Sequence, residues 1–318
     1  MTVSNNSKIV FEACLVSTLV RSPSSSYIRN SIAAVVVNIV LAIAGTILNT
    51  FVLYIFWKSP KLLSKLSYFS IMLLCSIDLG VVTVVNPLFA LKIITTMLDS
   101  AKCIYVVTYA IAMLLFSGIS AWTLFIINSE RYFSIIHTAL HRNHFTKRRF
   151  LSTWIFLWFF VMSSIVSCMH FKSLGNAIPI TLSIIVCTSL YTYVAIFVVA
   201  RKKMLKVHDN SDQESSRNFM VFLRELKMAK TYVLVVSLCC LCYLPGVVVS
   251  GTQNPLYHSD TDTVVLDWAT TLMSMNSTLN CLLFFWGNRE MRKEGYKILK
   301  NCFHSLEDQQ LELNAVQM

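Results

Sequence analysis

The chain has 318 residues, of which 55% are hydrophobic and only 14% charged, with a mean hydropathy of +0.62. A soluble domain carries about 25% charged residues, so this composition excludes an ordinary soluble enzyme and, more firmly, a disordered chain. The net charge of +11 makes the position of the positive residues informative, because cytoplasmic loops of membrane proteins retain them. With 8 Gly and 6 Pro, breakers are few. The apolar runs are continuous rather than alternating, which favours helices over a lipid-spanning barrel. The ten Cys show no zinc-ligand spacing and read mostly as small packing residues.

A helix needs roughly 20 apolar residues to cross a bilayer. Seven stretches qualify, over residues 31–57, 66–92, 103–133, 150–169, 177–200, 228–250 and 264–287. No internal repeat is visible, which counts against an inverted-repeat transporter. Basic clusters alternate between the spans: Lys58, Lys61 and Lys65; Arg142, Lys147, Arg148 and Arg149; Arg201, Lys202, Lys203 and Lys206; and Arg289, Arg292, Lys293, Lys297 and Lys300. The opposite loops hold Asp99, Asp260 and Asp262. The positive-inside rule then puts the N-terminus outside and the C-terminus inside.

The expected fold is all-α: an integral membrane bundle of seven transmembrane helices plus a short amphipathic eighth. The divisions are an extracellular segment 1–30, the bundle 31–287, the amphipathic helix 288–302 and a cytoplasmic tail 303–318. Asn5 opens a glycosylation sequon, and the first span is expected to serve as an uncleaved signal. In the eighth helix Met291, Ile298 and Leu299 can share a face opposite Arg and Lys, as an interfacial helix does. Cys302 at its end suits palmitoylation as well as it suits an unmodified thiol.

Polar side chains at membrane depth need a reason. Asn49 falls in the first span, Asp78 in the second, Ser120 in the third, and Asn276, Ser277 and Asn280 in the seventh. Asn276 and Asn280 are spaced i, i+4 and share a face. Oxygens converging on Asp78 suit a small hard cation or a water cluster; polar glue between helices is the other reading. At the inner end of the third span stands Glu130-Arg131-Tyr132, and Glu225 precedes the sixth. Arg131 can hold Glu130 and reach Glu225 as a two-state latch, or take part in an ordinary surface ion pair. Pro245, in Cys242-Tyr243-Leu244-Pro245, and Pro87 each remove a helix hydrogen bond. A hinge at Tyr243 and Pro245 would lie between a pocket and the latch.

Taken together, these residues resemble the rhodopsin-like (class A) G-protein-coupled receptors. The resemblance runs over roughly residues 31–301. It rests on Asn49 preceded by Gly45, Asp78 in Leu73-Leu74-Cys75-Ser76-Ile77-Asp78-Leu79 with Pro87 following, Glu130-Arg131-Tyr132, Trp158, Pro245 and Asn280. Segments 131–149 and 290–299 look nearest the melanocortin and adenosine receptor group. The resemblance implies a sodium site at Asp78, Ser120, Asn276, Ser277 and Asn280. It also implies an Arg131 that pairs with Glu130 and Glu225 when inactive and turns to a heterotrimeric G protein when active. Plasma-membrane residence follows from the same likeness.

Departures accompany it. The seventh-helix motif reads Asn280-Cys281-Leu282-Leu283-Phe284, without the family's Pro and Tyr, and Tyr243 replaces the sixth-helix Trp. The fifth helix lacks its central Pro, and Tyr191 or Tyr193 is its inner Tyr. The third-helix Cys is Cys103, about one turn early; Cys168 is its expected partner, with Cys14 as rival.

By the same likeness the ligand pocket lies in the outer half and includes Met113, Leu114, Ser117, Gly246, Val247, Ser250, Leu266, Thr270 and Ser274. Met113 stands where aminergic relatives carry Asp, which disfavours a monoamine. Ser274 stands where opsins carry Lys, so a retinal Schiff base is excluded. Small and apolar linings favour a lipid or other neutral apolar ligand, although packing explains each residue singly. Asp260 and Asp262, with Asp267 just beyond, form an acidic outer loop that suits a basic peptide or simple hydration. Ser211, Ser215 and Ser216 suit phosphorylation and recruitment of an arrestin-like desensitising protein. Val316-Gln317-Met318 fits a PDZ-type ending. Two rivals to a receptor are a transporter using Asp78 and a receptor-like scaffold without coupling. No nucleic-acid partner and no enzymatic activity are expected.

Overall fold

A computed structural model describes residues 24–98, 100, 103–170, 177–209, 241–242 and 260–302, and among these the chain is helical with no strand. Helix α1 spans Ser25–Lys58. The Ser24 hydroxyl caps it by accepting the Tyr27 backbone N–H at 3.2 Å, which satisfies one of the orphan donors at a helix start. Its buried residues, among them Ala34, Asn38, Gly45, Asn49, Val52 and Ile55, recur at helical spacing and form one face. The other face leaves Ile32, Val36, Val40, Ile43 and Ile47 half or more exposed. A row of bare aliphatic side chains suits a hydrocarbon solvent, where outward residues need not be polar.

Helix α2 runs over Leu66–Met97. Its middle widens into a π-helical stretch at Val81–Val85, directly before Pro87. The widened turn absorbs the hydrogen bond that proline removes, so the interruption expected at Pro87 is met one turn earlier in the chain. Helix α3 is Cys103–Ile136, α4 is the short Thr138–His144, α5 is Lys147–His170 and α6 is Ala177–Asp209. Helix α7 is Asp260–Gly287, and α8 covers residues 289–302. Among the described residues, four helical stretches are long and apolar enough to cross a membrane: Ser25–Lys58, Leu66–Met97, Cys103–Ile136 and Lys147–Ser167. At 28 residues α7 has the length, but Asn276, Ser277, Thr278 and Asn280 dilute its apolar character.

Helix α7 packs most extensively on α1, and α3 touches α2, α5, α6 and α7. Around α3, Ile77, Ile119, Val161 and Ile165 join α2, α3 and α5. The Trp154 indole N–H donates to the Thr123 hydroxyl at 3.1 Å. Trp158 packs edge-on against Phe116 and Trp154. Trp154 rather than Trp158 therefore carries the polar link to α3.

Helix α8 folds back under the bundle. Met291 is fully buried, and Gly295 lies against Phe285 and Ile55. Ile298 packs on the main core, but Leu299 is 38% exposed. The inward face is thus Met291, Gly295 and Ile298, and Leu299 lies outside the face expected for it. Polar ties hold the helix at the α1–α2 turn: Lys65 Nζ meets Glu290 Oε2 at 2.8 Å, the Tyr68 hydroxyl donates to the same oxygen at 3.1 Å, and the Ser59 hydroxyl donates to Glu294 Oε2 at 2.8 Å. Cys302, at its end, is a free and exposed cysteine.

At Gly45 helix α1 lies close against its neighbours. A Cβ there would lie 2.5 Å from Val82 Cγ1 and 2.7 Å from Thr278 Oγ1, whereas one at Gly118 meets nothing nearer than 3.5 Å. Gly45→Val is expected to cost about 1–3 kcal/mol through overpacking, and Gly118→Ala much less. Thermal unfolding of the purified variants in nanodiscs checks this ordering.

Candidate functional site

Among the described residues, three buried polar groupings with charged side chains lie along α3. The central one surrounds Asp78, which is fully buried on α2. The Ser120 hydroxyl donates to Asp78 Oδ1 at 2.7 Å, and Asn280 Nδ2 donates to Asp78 Oδ2 at 3.1 Å. The Ser277 side chain lies beside the same carboxylate. Asn49 Nδ2 donates to the carbonyls of Gly45, at 2.9 Å, and Ser277, at 3.4 Å, joining α1 to α7. Four helices are thus joined in a polar knot through Asp78, Ser120, Asn280, Ser277 and Asn49.

Not every polar atom in the knot is satisfied. Asn49 Oδ1, Asn280 Oδ1 and both amide atoms of Asn276 are buried without a partner. An unpaired buried polar group costs about 1–3 kcal/mol. The spare oxygen of Asn280, beside the carboxylate that its amide nitrogen and Ser120 already hold, is the kind of donor that a hard cation or a small water cluster satisfies. The oxygen chemistry of the five residues expected at the cation site suits that group.

The second grouping is at the C-terminal end of α3. Arg131 Nη2 pairs with Glu130 Oε2 at 2.6 Å, and both side chains are at most 3% exposed. The same guanidinium nitrogen donates to the Ser67 hydroxyl of α2. Glu130 Oε1 meets His141 Nε2 of α4 at 2.8 Å, so one carboxylate is gripped from two sides. Breaking a well-buried pair of this kind costs about 3–5 kcal/mol, which places Arg131 in a held position rather than on a wet surface. Ser67 and His141 are functional neighbours that the sequence reading missed; a serine at a span edge and a histidine in a basic connection carry no distinctive pattern. Tyr132 stands beside Tyr191 of α6.

The third grouping is at the opposite end. Lys92 Nζ of α2 lies 3.3 Å from Asp267 Oδ1 of α7, and over the rings of Tyr109 and Phe89 at 5.4 and 5.9 Å. The Tyr109 hydroxyl donates to Met113 Sδ at 3.2 Å. Asp260, Asp262 and Asp267 all belong to α7 rather than to a loop, and Asp267 is only 3% exposed. Lys92 drew no attention in the sequence because it closes an apolar stretch, where a lysine reads as a boundary.

The expected ligand-facing residues divide. Met113 packs on the cluster that contains Phe89 and Tyr109, Thr270 neighbours Tyr109, and Ser274 is buried on α7. Leu114 turns instead to the cluster between α3 and α5. Ser117 is partly buried on α3. Phe284 is fully buried in the main core with Cys281. Cys103 is disulfide-bonded; the side chains of Cys168 and Cys14 lie outside those described. Asn5, Glu225, Tyr243, Pro245, Gly246, Val247 and Ser250 also lie outside the described residues. No protein-family model matches this chain, and no curated protein matches it.

Asp78→Ala would strand the Ser120 hydroxyl and the Asn280 amide, at about 1–3 kcal/mol for each group left unpaired. Asp78→Asn retains an acceptor for Ser120 and supplies a donor to the spare asparagine oxygens. Thermal denaturation should therefore rank the alanine variant clearly below the asparagine one, and an inverted ranking would contradict the network as drawn.

Proposed function

We propose that the chain is a seven-helix receptor of the rhodopsin-like type at the plasma membrane, with its N-terminus outside. It transduces an extracellular ligand, small and apolar or lipid-like, into activation of a heterotrimeric G protein. The observation that carries this reading is the pairing of two buried groupings on one helix. Ser120 holds Asp78 in the middle of α3, and eleven residues on, about 16 Å along the axis, Arg131 is clasped by Glu130 and Ser67. A buried arginine held by its own neighbour is a latch whose release exposes a cation to a partner.

In this reading Glu130, Ser67 and, by resemblance, Glu225 keep Arg131 inward. Activation swings the sixth helix about Tyr243 and Pro245 and frees Arg131 for the G protein. Cys103 and Cys168 form the extracellular disulfide. Asp78, Ser120, Asn276, Ser277 and Asn280 would hold a sodium ion, whose charge neutralises the buried carboxylate. Because these residues converge in the arrangement that also holds Arg131, a cation bound there favours the latched state by linkage. No retinal is involved, since Ser274 offers no amine.

A second reading has its own observation. Phe284 is buried without a hydroxyl where the resembled family carries Tyr, which suits a receptor-like scaffold that does not couple.

One experiment separates the two. Cells expressing the native chain and Arg131→Ala are compared for basal activation across several G-protein families, with surface expression monitored. The receptor reading expects basal activation that Arg131→Ala abolishes at equal surface level. Activation that survives in Arg131→Ala would overturn the latch. Silence of the native chain that persists in Glu225→Ala would favour the scaffold.

A further expectation concerns the ion. The melting temperature of the purified chain should rise when choline chloride is replaced by sodium chloride at equal ionic strength. Asp78→Asn should show no rise; an equal rise in that variant would remove sodium from Asp78.

A further inference from the structure

The ion pair between Lys92 and Asp267 is not used by the latch or the Asp78 knot. Its two members differ in access. The Asp267 side chain is 4% exposed and the Lys92 side chain 24%. Asp267 Oδ2 is buried without a hydrogen-bond partner. Lys92 Nζ spends one contact on Asp267 Oδ1 and lies over two aromatic rings, so an ammonium with three donors keeps capacity toward its open side. An unfilled acceptor and an underused donor thus stand side by side. Lys92 lies over Phe89 and Tyr109, and on the cluster that contains those two rings pack the partly buried Leu88, Met97, Met113, Phe116 and Trp268.

The electrostatics of this site select its ligand. Lys92 and Asp267 already neutralise each other. A carboxylate head would set a second anion against Asp267, and an ammonium head a second cation against Lys92. Either would pull a buried pair apart, which is costly. A neutral head adds to the pair without breaking it, provided that it presents a donor and an acceptor on neighbouring atoms. A primary carboxamide does so: its N–H donates to Asp267 Oδ2 while its carbonyl accepts from Lys92 Nζ. An apolar chain attached to that head would then lie on the methionine and aromatic side chains, of which Met97 and Met113 adapt readily to irregular shapes.

We infer that the Lys92–Asp267 pair is a head-group site for a neutral amide-bearing amphiphile, with its apolar chain against Met97, Met113, Phe116 and Trp268. The inference deepens the receptor reading by naming a ligand class, and rests on that reading only in taking this end of the bundle as the place where a ligand acts.

The test uses the purified full chain in nanodiscs and four lipids that share one hydrocarbon chain: oleamide, oleic acid, oleylamine and methyl oleate. Binding is followed by tryptophan fluorescence, which Trp268 reports locally, and by thermal shift. Oleamide is expected to bind at least about tenfold more tightly than each of the other three, the value of one charge-assisted hydrogen bond. In Lys92→Met/Asp267→Leu, where apolar side chains replace a buried pair without loss of folding, oleamide should fall to the level of methyl oleate. Tighter binding of the acid or the amine, a preference for oleamide that survives the double substitution, or no binding of any of the four would each overturn the proposal. The ranking on the native chain stands even if the double variant does not fold. None of these readouts involves a G protein, so failure here and failure of coupling are told apart.

Discussion

A carboxylate at the centre of an apolar bundle is tolerable only when other polar groups surround it, and that demand at Asp78 organises the packing of the helices described. Ser120 must face it from α3 and Asn280 and Ser277 from α7. Asn49 then fixes α1 against α7 through backbone carbonyls, at a level where Gly45 lets the helices approach. Hydrophobic burial within lipid gives helices little reason to choose one rotation over another, because lipid is as apolar as the interior. Directional hydrogen bonds supply that choice, and the bare aliphatic face of α1 follows from it.

The same helix carries the consequences to both ends. Tyr109 and Arg131 are each eleven residues from Ser120, so the two terminal groupings stand about 33 Å apart along α3, close to the roughly 30 Å thickness of a hydrocarbon core. One end holds a charge pair that spans α2 and α7, and the other a charge pair within α3 braced by α2 and α4. Rotation or sliding of α3 against α2 would disturb Ser120–Asp78 and Ser67–Arg131 together. In the receptor we propose, that shared dependence would let an ion bound near the centre bias a latch at the end, as linkage requires of any group that binds one arrangement better.

Much of the centre was legible in the sequence because the contrast there is high. Asp78, Asn49, Ser120 and Asn280 interrupt long apolar runs, and the i, i+4 spacing of Asn276 and Asn280 already puts them on one face. Glu130 and Arg131 were legible as a motif, but their partners Ser67 and His141 were not: hydrogen bonds between residues distant in sequence leave no periodic trace. The pairing of Lys92 with Asp267 escaped for a related reason. Each lies near the end of an apolar stretch, where charge is ordinary, and only the packing of α2 on α7 brings them to 3.3 Å. The polarity that made α7 conspicuous as a site also lowered its mean apolarity, so it is not among the four helices of the described residues that qualify as spans by composition. The widened turn at Val81–Val85 was beyond sequence reasoning, since Pro87 announces an interruption but not its form.

The central claim is that the Asp78 knot and the Arg131 latch are two parts of one conformational equilibrium that a G protein reads. Nucleotide exchange on purified heterotrimeric G proteins, catalysed by the chain in nanodiscs, measures it most directly when run in sodium and in potassium at equal ionic strength. The account expects exchange above the receptor-free rate in potassium, a lower rate in sodium, and no difference between the ions for Asp78→Asn. Exchange at the receptor-free rate in both ions, from protein whose melting curve shows it folded, would contradict it.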